Sequence, residues 1–211
     1  MPTNVKRRTN PDDFDRLRRL HARVIRDSVT LVHRIDPADL TRQTPCEGWT
    51  LLDLLAHMTA QHHGFAAAAR GDGGDPGRWE VRPAGRDAPE RYGEAAELVV
   101  AAFAAVGSPD RAFDLPEFSR HRTFRAERAV GFHLVDYVVH GWDVARSLDL
   151  AWAPGSDVLA VTLPIAEAVP GGEARKAPGS PFGPELQPAA GADPLDRILA
   201  TLGRPAGWRP C

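Results

Sequence analysis

Apolar and polar positions along the chain fall mainly into helical stripes. Phe14, Leu17, Leu20, Val24, Ile25, Val29 and Val32 recur mostly at steps of three and four, which predicts an amphipathic helix from an Asn10–Pro11 start to about Ile35. Asp36 and Pro37 break it. Thr50, with Asp53 three residues on, starts a second helix that runs to about Arg70. The Gly- and Pro-rich stretch from Gly71 to Gly85 reads as a loop, and an Ala-rich pattern from Pro89 to Val106 reads as a third helix. After a loop with Pro109 and Pro116, a fourth helix spans about Arg125 to Leu150. Gly155–Ser156 opens a shorter helix to Ala168, Pro170 to Ala190 reads as loop or short strand, and Asp193–Pro194 starts a last short helix that stops at Gly203. No alternating run is long enough to build a sheet, so the expected class is mostly α, a four-helix bundle. Residues 1–10 are expected as a flexible tail, 11–150 as the bundle, and 151–211 as an extension of loops and one or two short helices packed on it in the same domain.

Charge narrows the partners. With 26 Lys plus Arg against 28 Asp plus Glu, the chain shows no broad cationic footprint, so nucleic acid is not an expected partner. Arg, Asp or His interrupts every stretch approaching the roughly 20 apolar residues a bilayer span needs, so a soluble protein, monomer or homodimer, is expected. Cys46 and Cys211 form no repeated pair pattern and the opening Met1–Pro2–Thr3–Asn4 is polar, which fits a reduced cytoplasm.

The candidate chemistry sits in the fourth helix. Phe132, Val135, Val138, Val139, Trp142 and Ala145 cover nearly its whole circumference, so the helix is expected to be central and buried. Asp136 and His140, four residues apart on one face of it, either satisfy each other as an intrahelical pair or form half of a metal site. A carboxylate buried there needs a cation or donors. His57, in the apolar run Leu51 to Ala60, is expected to point inward and is the candidate third ligand. Three protein ligands would leave a divalent metal one open position. His133 lies on the same stripe as Asp136 and His140, and either it or Tyr137 is a candidate proton shuttle or a core residue with a hydrogen bond. His62 and His63 read as surface or rim residues, Cys46 as a small buried hydrophobe rather than a low-pKa thiol, and Arg125 and Arg128 as solvated or facing an acidic cofactor. Gly141–Trp142–Asp143 is expected to serve packing.

Thr44–Pro45–Cys46–Glu47–Gly48–Trp49–Thr50, Leu54–Leu55–Ala56–His57, Asp136 with Val139–His140–Gly141–Trp142–Asp143, and the closing Leu202–Gly203–Arg204–Pro205 together closely resemble the mycothiol-dependent maleylpyruvate isomerase family, a branch of the DinB-like metalloproteins. The resemblance covers about residues 14 to 209. It implies a DinB-like four-helix bundle holding a divalent metal, most often Zn2+, on His57, Asp136 and His140, with mycothiol as thiol cosubstrate. The isomerase pattern has Glu where this chain has Asp136, and residues 151–211 are expected to lack the extended C-terminal domain of those isomerases. Three readings follow: a metal-dependent enzyme that uses mycothiol for thiol transfer or addition–elimination isomerisation on a small electrophile, a thiol-independent metallohydrolase, and a non-catalytic metal-binding stress protein.

Overall fold

The computed structural model describes residues 10–176 and 182–210, so the expected N-terminal tail, apart from Asn10, and Cys211 lie outside the described residues. Helix α1 spans Pro11–Val32, with the Asn10 side chain accepting from the Asp12 amide at 3.2 Å. It ends three residues before Ile35. There the amides of Arg34 and Ile35 bond back only three residues, to Leu31 and Val32, which tightens the last turn ahead of Pro37. Helix α2 spans Leu51–Arg70 behind a complete capping box of Thr50 and Asp53, and Gly71 closes it at φ 101°. Helices α3 (Ala88–Ala104) and α4 (Ala126–Ser147) complete the four long helices. Short helices α5 (Ser156–Glu167) and α6 (Pro194–Thr201) follow where the two later caps predict them.

Among the described residues, three 3-10 turns lie at Asp39–Thr41, Pro76–Trp79 and Gly172–Lys176. A two-residue antiparallel pairing joins β1 (Ala112–Phe113) to β2 (Phe124–Arg125), directly before α4. Strands this short carry no alternation, which is why the sequence pattern does not show them.

Helices α1 and α2 both pack against α3 and α4, and α5 lies on α4 and α1. The core holds Leu51, Leu54, Leu55 and Met58 of α2 with Leu134 and Val138 of α4, all without exposed surface. On the other side of α4, Val135, Val139 and Trp142 are covered by Ile198, Leu199 and Leu202. From Val130 to Ala145 only Phe132 and Asp136 of α4 keep partial exposure, as its apolar circumference requires. Close approach demands glycine once next to the site: a Cβ on Gly141 would lie 2.4 Å from the Trp152 ring, whose Nε1 donates to the Val138 carbonyl at 2.9 Å.

A chain of three fully buried histidines crosses the core from α1 through α4 to α2. His21 Nε2 and His133 Nδ1 are 2.9 Å apart, and His133 Nε2 and His62 Nδ1 are 3.3 Å apart. Three neutral imidazoles carry three N–H groups, and two of these fill the two ring-to-ring bonds. At the ends of the chain, His21 Nδ1 and His62 Nε2 find no partner among the described residues. Protonating this chain would bury an unpaired charge, so burial lowers His21 to about 3 and holds His62 and His133 well below the ordinary value.

The unfolded chain takes up these protons near pH 6.5 and the folded chain does not, so the stability they contribute is present above pH 6.5 and lost as pH falls towards about 3. Each titrating histidine contributes a slope approaching roughly 1.4 kcal/mol per pH unit in that window. Urea midpoints measured from pH 7 down to pH 4 should fall steeply, and a His21→Leu variant should show a shallower fall. Identical slopes in the two proteins would show that His21 is not held neutral in the core.

Candidate metal centre

The capping box at Thr50 fixes the start of α2, and six residues on it places His57 half-buried on the face turned to α4. Asp136 and His140 meet it from α4. The two imidazoles stand edge to face with centroids 5.3 Å apart, and His140 Nε2 lies 3.4 Å from Asp136 Oδ1. One ligand atom from each of the three residues lies within 4.8 Å of the others. Tetrahedral zinc with bonds near about 2.1 Å would separate its donors by about 3.4 Å, which is the His140–Asp136 spacing, and the pairs with His57 stay within 4.8 Å. The three residues singled out by sequence thus come together.

The other nitrogen of His140 identifies the residues that hold the ring. Nδ1 lies 2.9 Å from Asp143 Oδ2, so Nδ1–H donates to the carboxylate and Nε2 is the nitrogen that faces Asp136 and His57. Asp143 has no exposed surface, and Arg204 donates to it from Nε at 3.0 Å and from a terminal nitrogen at 3.1 Å. The same terminal nitrogen lies 3.1 Å from Cys46 Sγ, and the Cys46 thiol donates to Asp143 at 3.4 Å. Burial opposes charge on Asp143, but Arg204 and His140 outweigh it and hold the carboxyl below its usual range. Burial likewise opposes protonation of His140, yet Asp136 and the Asp143 hydrogen bond raise its pKa well above the ordinary value. For His57, burial followed by the charge on His140 outweighs the opposing charge of Asp136 and lowers it to about 4.

With a second proton on Nε2, His140 and Arg204 balance Asp136 and Asp143; a divalent cation bound at that nitrogen would replace the proton and leave His140 neutral. Cys46, His140 and Asp143 also have ligand atoms close together. A second ion has no place among them, because Arg204 already occupies the carboxylate and borders the sulfur.

Several expectations change. Asp143 is an ionic anchor for His140 rather than only a packing residue. Cys46 is a half-buried polar contact of Arg204 and Asp143, not an apolar filler. His62, expected at the rim, is fully buried and stacks on Tyr137 with centroids 4.2 Å apart. Both nitrogens of His133 face histidines, and the Tyr137 hydroxyl donates to the Met58 carbonyl. Of the two expectations for these residues, the placements fit core residues with hydrogen bonds rather than a proton shuttle. Arg125 pairs with Asp110 at 2.6 Å, and Arg128 lies over Phe132, so neither is turned to an acidic cofactor at the centre.

Beside His57 opens a cavity of about 660 Å³ with Trp49, Leu52, Val81 and Pro83 in its walls. Trp49, 37% exposed, stands 5.0 Å from the His57 ring.

The family model for the mycothiol maleylpyruvate isomerase N-terminal domain matches residues 21–145, a stretch that contains all three candidate ligands. The chain belongs to this family. Two curated relatives, both uncharacterized proteins of Mycobacterium tuberculosis (strains CDC 1551 / Oshkosh and ATCC 25618 / H37Rv), are each 27% identical over 191 residues, covering 87% of this chain and 95% of theirs. Crystal structures of the mycothiol-dependent maleylpyruvate isomerase and of a histidine-to-alanine mutant of it each share the fold, with a TM-score of 0.54 at 16% identity over 76% of this chain and 69% of that one. Arg204 lies beyond the residues that the family model matches, although it anchors Asp143 inside them.

Metal retention measures these roles. His57→Ala should abolish stoichiometric zinc by elemental analysis after gel filtration. Arg204→Met, which leaves the ligands intact, should weaken zinc about 10- to 100-fold in chelator competition. Full retention in the first variant would overturn the ligand set, and unchanged affinity in the second would overturn the anchoring role.

Proposed function

We propose that the protein is a metal-dependent enzyme that uses a low-molecular-weight thiol, mycothiol, for thiol transfer or addition–elimination isomerisation on a small electrophilic substrate. The observation that carries this reading is the convergence of His57, Asp136 and His140 beside an open, partly apolar cavity, within the stretch that matches the family. Family membership supports mycothiol, and two imidazoles with one carboxylate suit zinc better than the oxygen-seeking magnesium or calcium. Zinc held there supplies an open coordination position and the acidity that makes a bound thiol a thiolate near neutral pH.

The residues of the chain supply orientation and a drier site. Asp143 holds the His140 ring through Nδ1, His57 stays neutral because of its burial, and Trp49, Leu52 and Val81 would line the approach of a thiol to the centre. Less water around a thiolate strengthens every electrostatic contact that it makes. The sulfur electron pair forms a C–S bond at the electrophilic carbon. In isomerisation the π pair of the double bond moves onto the conjugated carbonyl as the C–S bond forms and, after rotation about the remaining single bond, returns to expel the thiolate; in transfer a leaving group departs with its electron pair and a thioether remains.

Mycothiol should stabilise the zinc-loaded protein and leave the chelator-stripped protein unchanged in thermal unfolding. At about 100 times the dissociation constant the gain is about 2.7 kcal/mol, a melting shift of roughly 5–10 °C for a chain of this size. No shift in the loaded protein would overturn thiol use and favour metal-assisted hydrolysis or a non-catalytic role. An equal shift without metal would place the thiol away from the centre.

A further inference from the structure

His57 meets His140 and His62 meets His133, so α2 and α4 run antiparallel, and the turn of α2 beyond His57 lies opposite the turn of α4 before Asp136. Gln61, four residues beyond His57 and on the same side of α2, is only 5% exposed. Its Nε2 donates at 2.9 Å to Oε2 of Glu117, from the turn that follows β1. The next residue, Phe118, stacks on Phe132 with centroids 4.9 Å apart, and Phe132 is four residues before Asp136 on α4. The Glu117–Phe118 turn is thus pinned to both helices, one helical turn from His57 and from Asp136. Glu117 is exposed, and among the described residues no Lys, Arg or His lies within 4.0 Å of its carboxylate. A neutral amide holds it, not a cation. Desolvation raises its pKa, against the Gln61 hydrogen bond, and the charge of Asp136 adds to the rise. A carboxyl shifted towards neutral pH is better matched to taking up and releasing a proton.

We infer that Glu117, held in place by Gln61, takes the proton of a thiol as its sulfur reaches the centre and gives that proton back at the end of the reaction. The inference rests on the proposed function for the thiol. The S–H bond breaks, its electron pair stays on sulfur, and the proton passes to a Glu117 oxygen. In transfer, the proton then goes to the leaving group; in isomerisation, it returns to the expelled thiolate as the thiol departs. No further reactant is needed in either case. The other acids and bases around the centre are committed. His57, Asp136 and His140 are the candidate ligands, Asp143 has no exposed surface and is held by Arg204, and the Tyr137 hydroxyl is bonded to Met58. Glu117 combines exposure with a fixed position, and it approaches from the β1–β2 connection, an element that contributes no ligand.

Proton counting tests this without a substrate. Mycothiol is titrated calorimetrically into the zinc-loaded full-length protein at about pH 6, where the free thiol is still protonated, in buffers of different ionisation enthalpy. The dependence of the heat on that enthalpy gives the protons released per thiol bound. A thiol that binds as thiolate gives up about one proton. Wild type should release less than about half of it to the buffer, because Glu117 retains the rest, whereas Glu117→Gln should release nearly all of it. The glutamine can still accept from Gln61 through its amide oxygen; Glu117→Ala, with circular dichroism confirming the fold, serves if the first variant is unstable. Glu90→Gln, in the first turn of α3, should match wild type. Equal proton release in wild type and the Glu117 variants would overturn the inference and leave thiol binding standing. Absence of binding heat in wild type in every buffer would overturn the proposed function, and the inference with it.

Discussion

A carboxylate with no exposed surface has to be answered by donors, and in this protein the answer to Asp143 determines much of the rest. An unpaired carboxylate in that position would either cost several kcal/mol or take up a proton. Arg204 grips it with two N–H groups, His140 supplies a third donor, and the Cys46 thiol borders both charges. These residues come from the loop before α2, from α4 and from the segment after α6, so one buried anion ties three distant parts of the chain together. It also fixes which nitrogen of His140 is free, and that nitrogen faces Asp136 and His57.

The bundle keeps two buried polar systems apart by layer. In the lower one, His21, His133 and His62 stay neutral and bond to one another. In the upper one, the carboxylates of Asp136 and Asp143 flank His140 and favour a positive group there. Tyr137 separates them, stacking on both His62 and His133 while its hydroxyl is spent on Met58. The same residue type thus serves two purposes through its neighbours alone: histidines among aromatic rings are structural, and histidines beside carboxylates are candidate ligands.

How much could be read beforehand follows from the range of each signal. The long helices were legible because their stripes and caps are local, and Asp136 with His140 was legible because i and i+4 share a face by helix geometry alone. His57 followed from the apolar run around it. Helix geometry also misled. His133 shares the stripe of His140, but seven residues are about 10.5 Å of rise, which places it in the other layer. His62 is five residues beyond His57, well round the helix, and so it turns into the core instead of towards the rim. The pairing of Asp143 with Arg204 spans 61 positions and leaves no periodic trace. A polar residue amid an apolar helix signalled that a partner was needed; only the fold could show which one.

The shorter carboxylate of Asp136 has its own structural logic. From position i to i+4, an aspartate oxygen meets His140 Nε2 directly at 3.4 Å, close to the spacing of two donors on one ion. The pair is therefore set by the helix backbone, with few torsions left to order. Asp136 is also partly exposed where Asp143 is fully buried, so the two carboxylates flanking His140 differ in kind. The buried one is committed to Arg204 and holds the ring; the accessible one is available to a cation. Under the proposed function, that division of labour lets the pair on α4 serve as candidate ligands, and it depends on Arg204 beyond α6.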